Sequence, residues 1–325
     1  MRRFIAGLTL VAAVMAATQM QATGTAYPVR TVRIIVAFSP GGPADFVARL
    51  LAERLKDLLG QTFIVENRAG ANGAIGAAYT ARAAPDGYTL FLTTVGAVAV
   101  TPHLTRQTDY DVIKDFEPIS RVVRNTTILV VRPDLPVESA RDLAAMARAR
   151  PGTIAIASSG VGSMPHLALE LYQSAAGVHF IHVPYRGAAP ALSDLLAGNV
   201  QGMFADVPVL LPLIQAHKLK PIGAAAEYRS EILPDVPTLA EQGFQNTSAE
   251  NWYGLLAPAH TPAPIISKLR DAVAAAFNDP ETLTRLKQSG AIPAVTSSEE
   301  FGQLLKSELS RWGQVVREKN IAPIQ

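Results

Sequence analysis

Two short stretches of this 325-residue chain carry the residue types that hold an anion: Ser39-Pro40-Gly41-Gly42-Pro43-Ala44-Asp45, and Ser158-Ser159-Gly160-Val161-Gly162-Ser163 running on to His166. Each sets glycines and hydroxyls directly before a helical pattern. The first turn of a helix leaves backbone N–H groups unpaired, its dipole favours negative charge, and glycine lets a ligand come close to the backbone. One such turn is weak evidence, because short βα loops are the norm in α/β folds. Two equivalent loops facing one cleft would say more. Neither is a nucleotide loop: Gly160-Val161-Gly162 lacks the third glycine of a dinucleotide fingerprint, and no Gly-Lys-Ser/Thr phosphate loop occurs. The expected guest is a carboxylate.

Other chemistry is less well supported by the residues. A secreted hydrolase would use Ser163 as nucleophile, His166 or His182 as base and Asp206 to orient the base. Ser163 sits in Val161-Gly162-Ser163-Met164-Pro165, whereas a nucleophile elbow reads Gly-x-Ser-x-Gly. The six histidines (103, 166, 179, 182, 217 and 260) form no His-x-x-x-His pair, so no metal site and no cofactor is expected. His166, in the first turn behind the second loop, either donates to a carboxylate or holds the loop. Asp45, in the first turn behind the first loop, has the same two readings, ligand contact or only complementing the helix dipole and bracing the turn, and a carboxylate is a poor direct partner for an anion. The Gly70, Gly73, Gly76 spacing fits a turn with close helix packing as well as it fits ligand contact. Trp252 and Tyr253 fit core or hinge packing, and also the lining of a cleft.

These loops need strands and helices to aim them. Thr31 to Phe38 is a nearly continuous β-branched run of the kind expected for a strand buried on both faces. Ala44 to Leu59 then shows apolar residues at helical spacing, with Gly60 as its stop. The unit recurs: strand Thr62 to Glu66, helix Ile75 to Ala83, strand Tyr88 to Thr93, strand Ile128 to Arg132, helix Ser139 to Arg150, strand Thr153 to Ala157 and helix Pro165 to Ala176. Strand Phe180 to Val183, helix Ala189 to Ala197, strand Gly202 to Phe204, helix Val209 to Ala216 and strand Lys220 to Ala224 continue it. Asp235 to Phe244 reads as a turn and short helix, Trp252 to Ala257 as a strand, and Ala263 to Asn278 and Ser298 to Lys319 as amphipathic helices with a shorter one between. Strands alternating with helices predict a parallel sheet. No low-complexity linker intervenes, so two lobes, 27–127 plus 252–325 and 128–251, are expected to join through strands near Asn125 to Val131 and Glu250 to Leu256.

Residues 1–26 combine Arg2 and Arg3, an apolar run from Phe4 to Ala17 and small residues at Ala22 and Ala26, the layout of a cleavable export signal. Cleavage after Ala26 would leave 27 basic against 27 acidic side chains, a balance that offers no electrostatic footprint for nucleic acid or an anionic membrane. The chain has no cysteine, which excludes disulfides, thiolate chemistry and a lipid anchor on an N-terminal cysteine. A free periplasmic monomer is expected.

The pattern of motifs resembles the periplasmic solute receptors of tripartite tricarboxylate transporters, also called Bug receptors. The matching segments are Phe38 to Asp45, Asn67-Arg68 with Gly70 to Gly76, Pro85 to Thr89, Gly160 to Ser163 with His166-Leu167, Val183 to Gly187, Pro237 to Gly243 and Trp252 to Pro258. Each is modest alone and together they span nearly the whole mature chain in family order. The resemblance implies a Venus-flytrap fold of two α/β lobes that close on a small organic acid and deliver it to membrane permease subunits. A soluble sensor for a signalling partner is the neighbouring alternative. Carried over, the site would comprise Phe38, Ser39, Gly41, Gly42 and Thr94 from the first lobe, and Ser159, Gly160, Gly162, Ser163, His166, Tyr185, Gly187 and Ala188 from the second. Asp206 stands one position out of step with the family's frequent Met-Phe-Asp. Its role there would be to read an amino or hydroxyl group at the far end of the ligand.

Overall fold

The computed structural model describes residues 26–105, 108–319 and 321, so the expected export signal lies, but for Ala26, outside the described residues. Strand β1 (Val32–Val36) takes up the β-branched run. Val32, Ile34 and Val36 pack against Val47, Leu50, Leu51 and Leu55 of helix α1 (Pro43–Leu59), while Ile35 turns to a second core on the opposite face. Covering both faces is what lets an apolar strand run without polar alternation. Strands β2 (Phe63–Asn67) and β3 (Thr89–Thr94) flank β1 in parallel, joined through α2 (Ala74–Ala81). A buried π-helical turn, Gly96–Val100, and α3 (Thr101–Leu104) lead on to β4 (Phe116–Asn125).

At Thr126 the chain leaves this sheet for β5 (Thr127–Val131). There follow α4 (Ala140–Ala149), β6 (Ala155–Ser158), α5 (Met164–Ala176), β7 (Ile181–Pro184), α6 (Ala188–Ala197), β8 (Gly202–Asp206), α7 (Val207–Gln215) and β9 (Lys220–Ala224). The chain returns along β10 (Asn251–Pro258) and ends with α8 (Ala263–Asn278), α9 (Pro280–Ser289), the short β11 (Ile292–Pro293) and α10 (Ser298–Glu318). The result is a six-stranded sheet, β11-β4-β10-β3-β1-β2, and a five-stranded sheet, β7-β6-β8-β5-β9. This is the two-lobe α/β architecture of periplasmic binding proteins.

Three expectations need correction. The sheets are mixed, because β10 runs antiparallel to β3 and β4, and β5 runs antiparallel to β8 and β9. These strands enter from the other lobe without a helical crossover, and a parallel neighbour requires one. Strand β4 goes unread in the sequence because Glu117, Pro118, Arg121 and Arg124 interrupt its apolar residues; proline is tolerated there because β11 covers β4 only at Val123 and Arg124. Asp235 to Phe244 is a series of turns instead of a helix. Thr238 and Glu241 exchange the bonds that usually open a helix, but Gly243, at φ 96°, ends it within one turn.

Strand β10 is buried throughout, and Gly254 in it lies under the ring of Phe301 from α10, which also meets Trp252 edge-on at 5.4 Å. A methyl group at Gly254 would run into that ring. Overpacking a well-filled core typically costs about 1–3 kcal/mol. Gly254→Ala is therefore expected to lower the thermal midpoint by several degrees, and Phe301→Leu in the same chain should recover part of the loss; an unchanged midpoint would refute this packing.

Candidate functional site

The strand-to-helix turns after β1, β6, β7 and β8 all open on the gap between the lobes. Four helix starts therefore converge: α1 behind Gly42, α5 behind Ser163, α6 behind Gly187 and α7 behind Asp206. Between them lies a cavity of about 40 Å³ lined by Phe38, Ser39, Gly42, Pro43, Ala44, Thr94, Ser159, Ser163, Met164, Pro165, Ala188, Ala205, Asp206, Asn251 and Tyr253. A water needs roughly 10–15 Å³ by this measure, so the space suits a carboxylate group or a few waters. The lobes touch around it. Ser39 Oγ donates to the Arg186 carbonyl at 2.5 Å, and a Cβ on Gly187 would stand 3.4 Å from Ser39. A second hollow, of about 280 Å³, lies on the other side of Phe38 and Ser159, among Gly70, Asn72, Gly160, Tyr185 and Arg186.

Loop bonding decides which amides remain to face a ligand. Gly41 N–H donates to the Asp45 carboxylate at 3.0 Å, and Gly160 N–H to Ser158 Oγ at 3.2 Å. Gly162 N–H is held by His166 Nδ1 at 3.1 Å, and Ser163 N–H by the Gly160 carbonyl. Gly41, Gly160, Gly162 and His166 thus shape the loops and do not line the cavity. Tyr185 lines only the second hollow, and its hydroxyl donates to Asp194 at 2.6 Å. The first-turn amides of Ala44, Met164 and Ala188 remain, since a helix offers them no internal partner.

Asp45 acts as a brace. Burial opposes its charge, but Arg49 in a two-toothed grip, the Gly41 amide and Asn67 together hold its carboxyl below the usual carboxylate range. Ser163 caps α5 and donates to the Gly160 carbonyl at 2.7 Å, while both ring nitrogens of His166 face elsewhere, toward Gly162 and Glu170. The nucleophile and base pairing of a hydrolase is not formed by these residues. No group of three or more His, Asp or Glu side chains suited to a metal occurs among the described residues.

Behind the second loop the rings of His166 and His182 stack at 4.1 Å with 12° between their planes. His182 Nε2 lies 2.7 Å from Ser158 Oγ, at the foot of the loop. Burial, and then the neighbouring His166, push the His182 pKa down to about 3. At the floor of the cavity Asp206 is fully enclosed and accepts from Tyr253 OH at 2.5 Å, Asn251 Nδ2 at 2.9 Å and Thr127 Oγ1 at 3.3 Å. Burial raises its pKa to about 6, and these three donors restrain the rise.

The larger concavity of the molecule, about 920 Å³, lies outside the cleft among Arg30, Arg33, Arg68 and Arg82. Those cations are already matched: Arg30 with Asp86, Arg33 and Arg68 with Glu66, and Arg82 with Asp109. The convergence of helix starts singles out the inter-lobe cavity as the binding site candidate.

Comparison with known proteins agrees with this fold. The family described as tripartite tricarboxylate transporter family receptor matches residues 47–321. The chain belongs to that family of solute receptors. It is 38% identical over 293 residues to BugT of Bordetella pertussis, covering 90% of each chain. Its structure is similar to that of an R. palustris protein with adipate (35% identity, TM-score 0.89, 92% of this chain and 100% of that one). It is also similar to MatC of Rhodopseudomonas palustris with bound malate (34% identity, TM-score 0.84, 89% and 100%).

Sequence reading of the receptor overlooked Pro43, Ala44, Met164, Pro165, Ala205 and Asn251 as cavity residues, and left Tyr253 open between packing and lining. The prolines held the one usable signal, because proline at the first or second helical position marks where a helix starts. Asn251 and Tyr253 arrive on a strand from a distant part of the chain and no local pattern announces them.

The histidine stack makes the receptor's stability depend on pH. His182 stays neutral in the fold, so below pH 6.5 the unfolded chain binds a proton that the folded one refuses. Its contribution is full above pH 6.5 and drains away as pH falls toward about 3. Thermal midpoints measured from pH 7.5 to 4 should fall less steeply in His182→Gln, whose amide reaches Ser158 without titrating; equal slopes would refute the assignment.

Proposed function

We propose that this chain is a periplasmic solute receptor that captures a small organic carboxylate between its lobes and delivers it to the permease subunits of a tripartite tricarboxylate-type membrane transporter. The observation that carries the reading is the convergence of four helix starts on one inter-lobe cavity. Each start contributes a partial positive charge and unpaired N–H groups. The adipate and malate in the two similar proteins point to the same class of guest.

Ligand contacts are assigned to Phe38, Ser39, Gly42, Thr94, Ser159, Ser163 and Ala188, with the amides of Ala44, Met164 and Ala188 turned to the carboxylate. The remaining loop residues, Gly41, Gly160, Gly162, His166, Tyr185 and Gly187, act by holding those groups in place. Binding favours closure because only the closed form brings the α1 start and the α5, α6 and α7 starts onto the same anion; a ligand shifts a conformational equilibrium by its differential affinity for the two states. The Ser39 bond to Arg186 belongs to that closed state. Export as a free protein with a leader removed near Tyr27 completes the reading.

The test is a thermal-shift screen of the mature chain, unfolded and refolded to strip carried-over ligand, against mono-, di- and tricarboxylates. Ligand at about 100 times its dissociation constant adds roughly 2.7 kcal/mol, a rise of several degrees in the midpoint. At least one acid should give that rise and return unchanged in mass, and its uptake should be lost in cells lacking this chain. If no acid moves the midpoint, the receptor reading fails.

A further inference from the structure

We infer that the floor of the cavity selects a carboxylate ligand that also carries a hydrogen-bond donor, a hydroxyl or an ammonium group, and that Asp206 and Asn251 are the residues that read it. This rests on the carboxylate-receptor reading and narrows it. An ionised carboxylate accepts at about four positions. Asp206 Oδ2 receives Tyr253 and Asn251, whereas Oδ1 receives only Thr127, through a longer bond. One acceptor position on Oδ1 is therefore open.

Asn251 supplies the second observation. Its Nδ2 must face Asp206, because a carboxylate accepts and does not donate, and this fixes the amide so that Oδ1 points elsewhere. That oxygen is buried, with the residue 6% exposed and lining the cavity, and it has no hydrogen-bond partner. Asn125, directly opposite across the β4–β10 ladder and wholly buried, also leaves both of its side-chain polar atoms unpartnered. Buried polar groups without partners are uncommon in native folds and call for an explanation.

The site is thus divided by polarity. Helix starts offer donors to a carboxylate at the mouth, and acceptors collect at the floor. A guest that satisfies both ends holds an anion and a donor. A plain dicarboxylate of the same length brings the same two charges but no donor, and so leaves Asp206 Oδ1 and Asn251 Oδ1 unmet. Since burial lifts the Asp206 pKa only to about 6, the group carries its charge at pH 8, where the test is best made.

Calorimetric titration at pH 8 would compare succinate, malate and aspartate, then glutarate, 2-hydroxyglutarate and glutamate, each trio matched in carbon count. The refolded mature chain should bind the hydroxyl or ammonium member about ten- to a hundredfold more tightly than the plain diacid, the range expected for a hydrogen bond to a charged group. Whether malate or aspartate leads tells which donor is read. Asp206→Asn, which keeps the volume, and separately Asn251→Ala should each bring the ratio of the two affinities close to one. Equal or tighter binding of succinate and glutarate in the wild type would overturn this inference alone, as would both variants weakening all acids equally. Failure of every carboxylate to bind would overturn the receptor reading and this inference together.

Discussion

The unpaired N–H groups at the start of an α-helix are a debt that the fold must place somewhere, and this chain places four of them at one point. Strand β1 of one sheet and β6, β7 and β8 of the other each lead into a helix, and residues at the starts of those four helices line one cavity. Pro43, Pro165 and Pro208 remove donors from the first two positions of three of those helices, and Gly41, Gly160 and Gly162 commit their amides to the loops. What remains is a small set of rigidly held donors around one small cavity. Oriented peptide dipoles at these helix starts make the cavity locally positive without any net charge on the protein.

Holding those donors in register requires the loops themselves to be stiff. Each loop has its own brace. In the first, the Asp45 carboxylate ties Gly41 to Arg49 and Asn67, so its negative charge is matched by an arginine instead of facing the cavity. In the second, a pair of stacked imidazoles holds the loop, with His166 Nδ1 accepting from Gly162 N–H and His182 meeting Ser158. The first brace thus holds a charge that is matched on the spot, whereas His182 in the second is kept neutral by burial and by His166.

The two lobes meet through side chains contributed by strands that belong to neither helix layer. Thr127, Asn251 and Tyr253 lie where the chain passes between the sheets, and all three donate to Asp206. A charge buried at such a crossing costs stability unless donors surround it, and the strands that carry the crossing supply those donors. Asn251 and Tyr253 therefore both stabilise the junction and line the floor of the cavity.

Much of this was legible in the sequence, and the reasons differ by element. The apolar run of β1, the helical spacing of α1 and the glycine-rich turns after β1 and β6 are local patterns, and local sterics and hydrogen bonding decide them. So are the boundaries of α8, which the spacing places at the observed residues. Strand β4, with Pro118 and three charged residues, has no such pattern; its place depends on β10, more than 120 residues later. For the same reason the sequence could not tell that Ser39, Gly42, Ser159 and Ser163 line the cavity while the amides of Gly41, Gly160 and Gly162 are bonded within their loops, since that depends on where Asp45, Ser158 and His166 point. Residue order by itself determined the α/β class, the family and the two glycine-rich strand-to-helix turns, because these rest on short-range spacing. Only the tertiary structure decided the antiparallel crossings, the facing of four helix starts and the union of Asp206 with Asn251 and Tyr253, because each depends on strands distant in sequence being brought into contact.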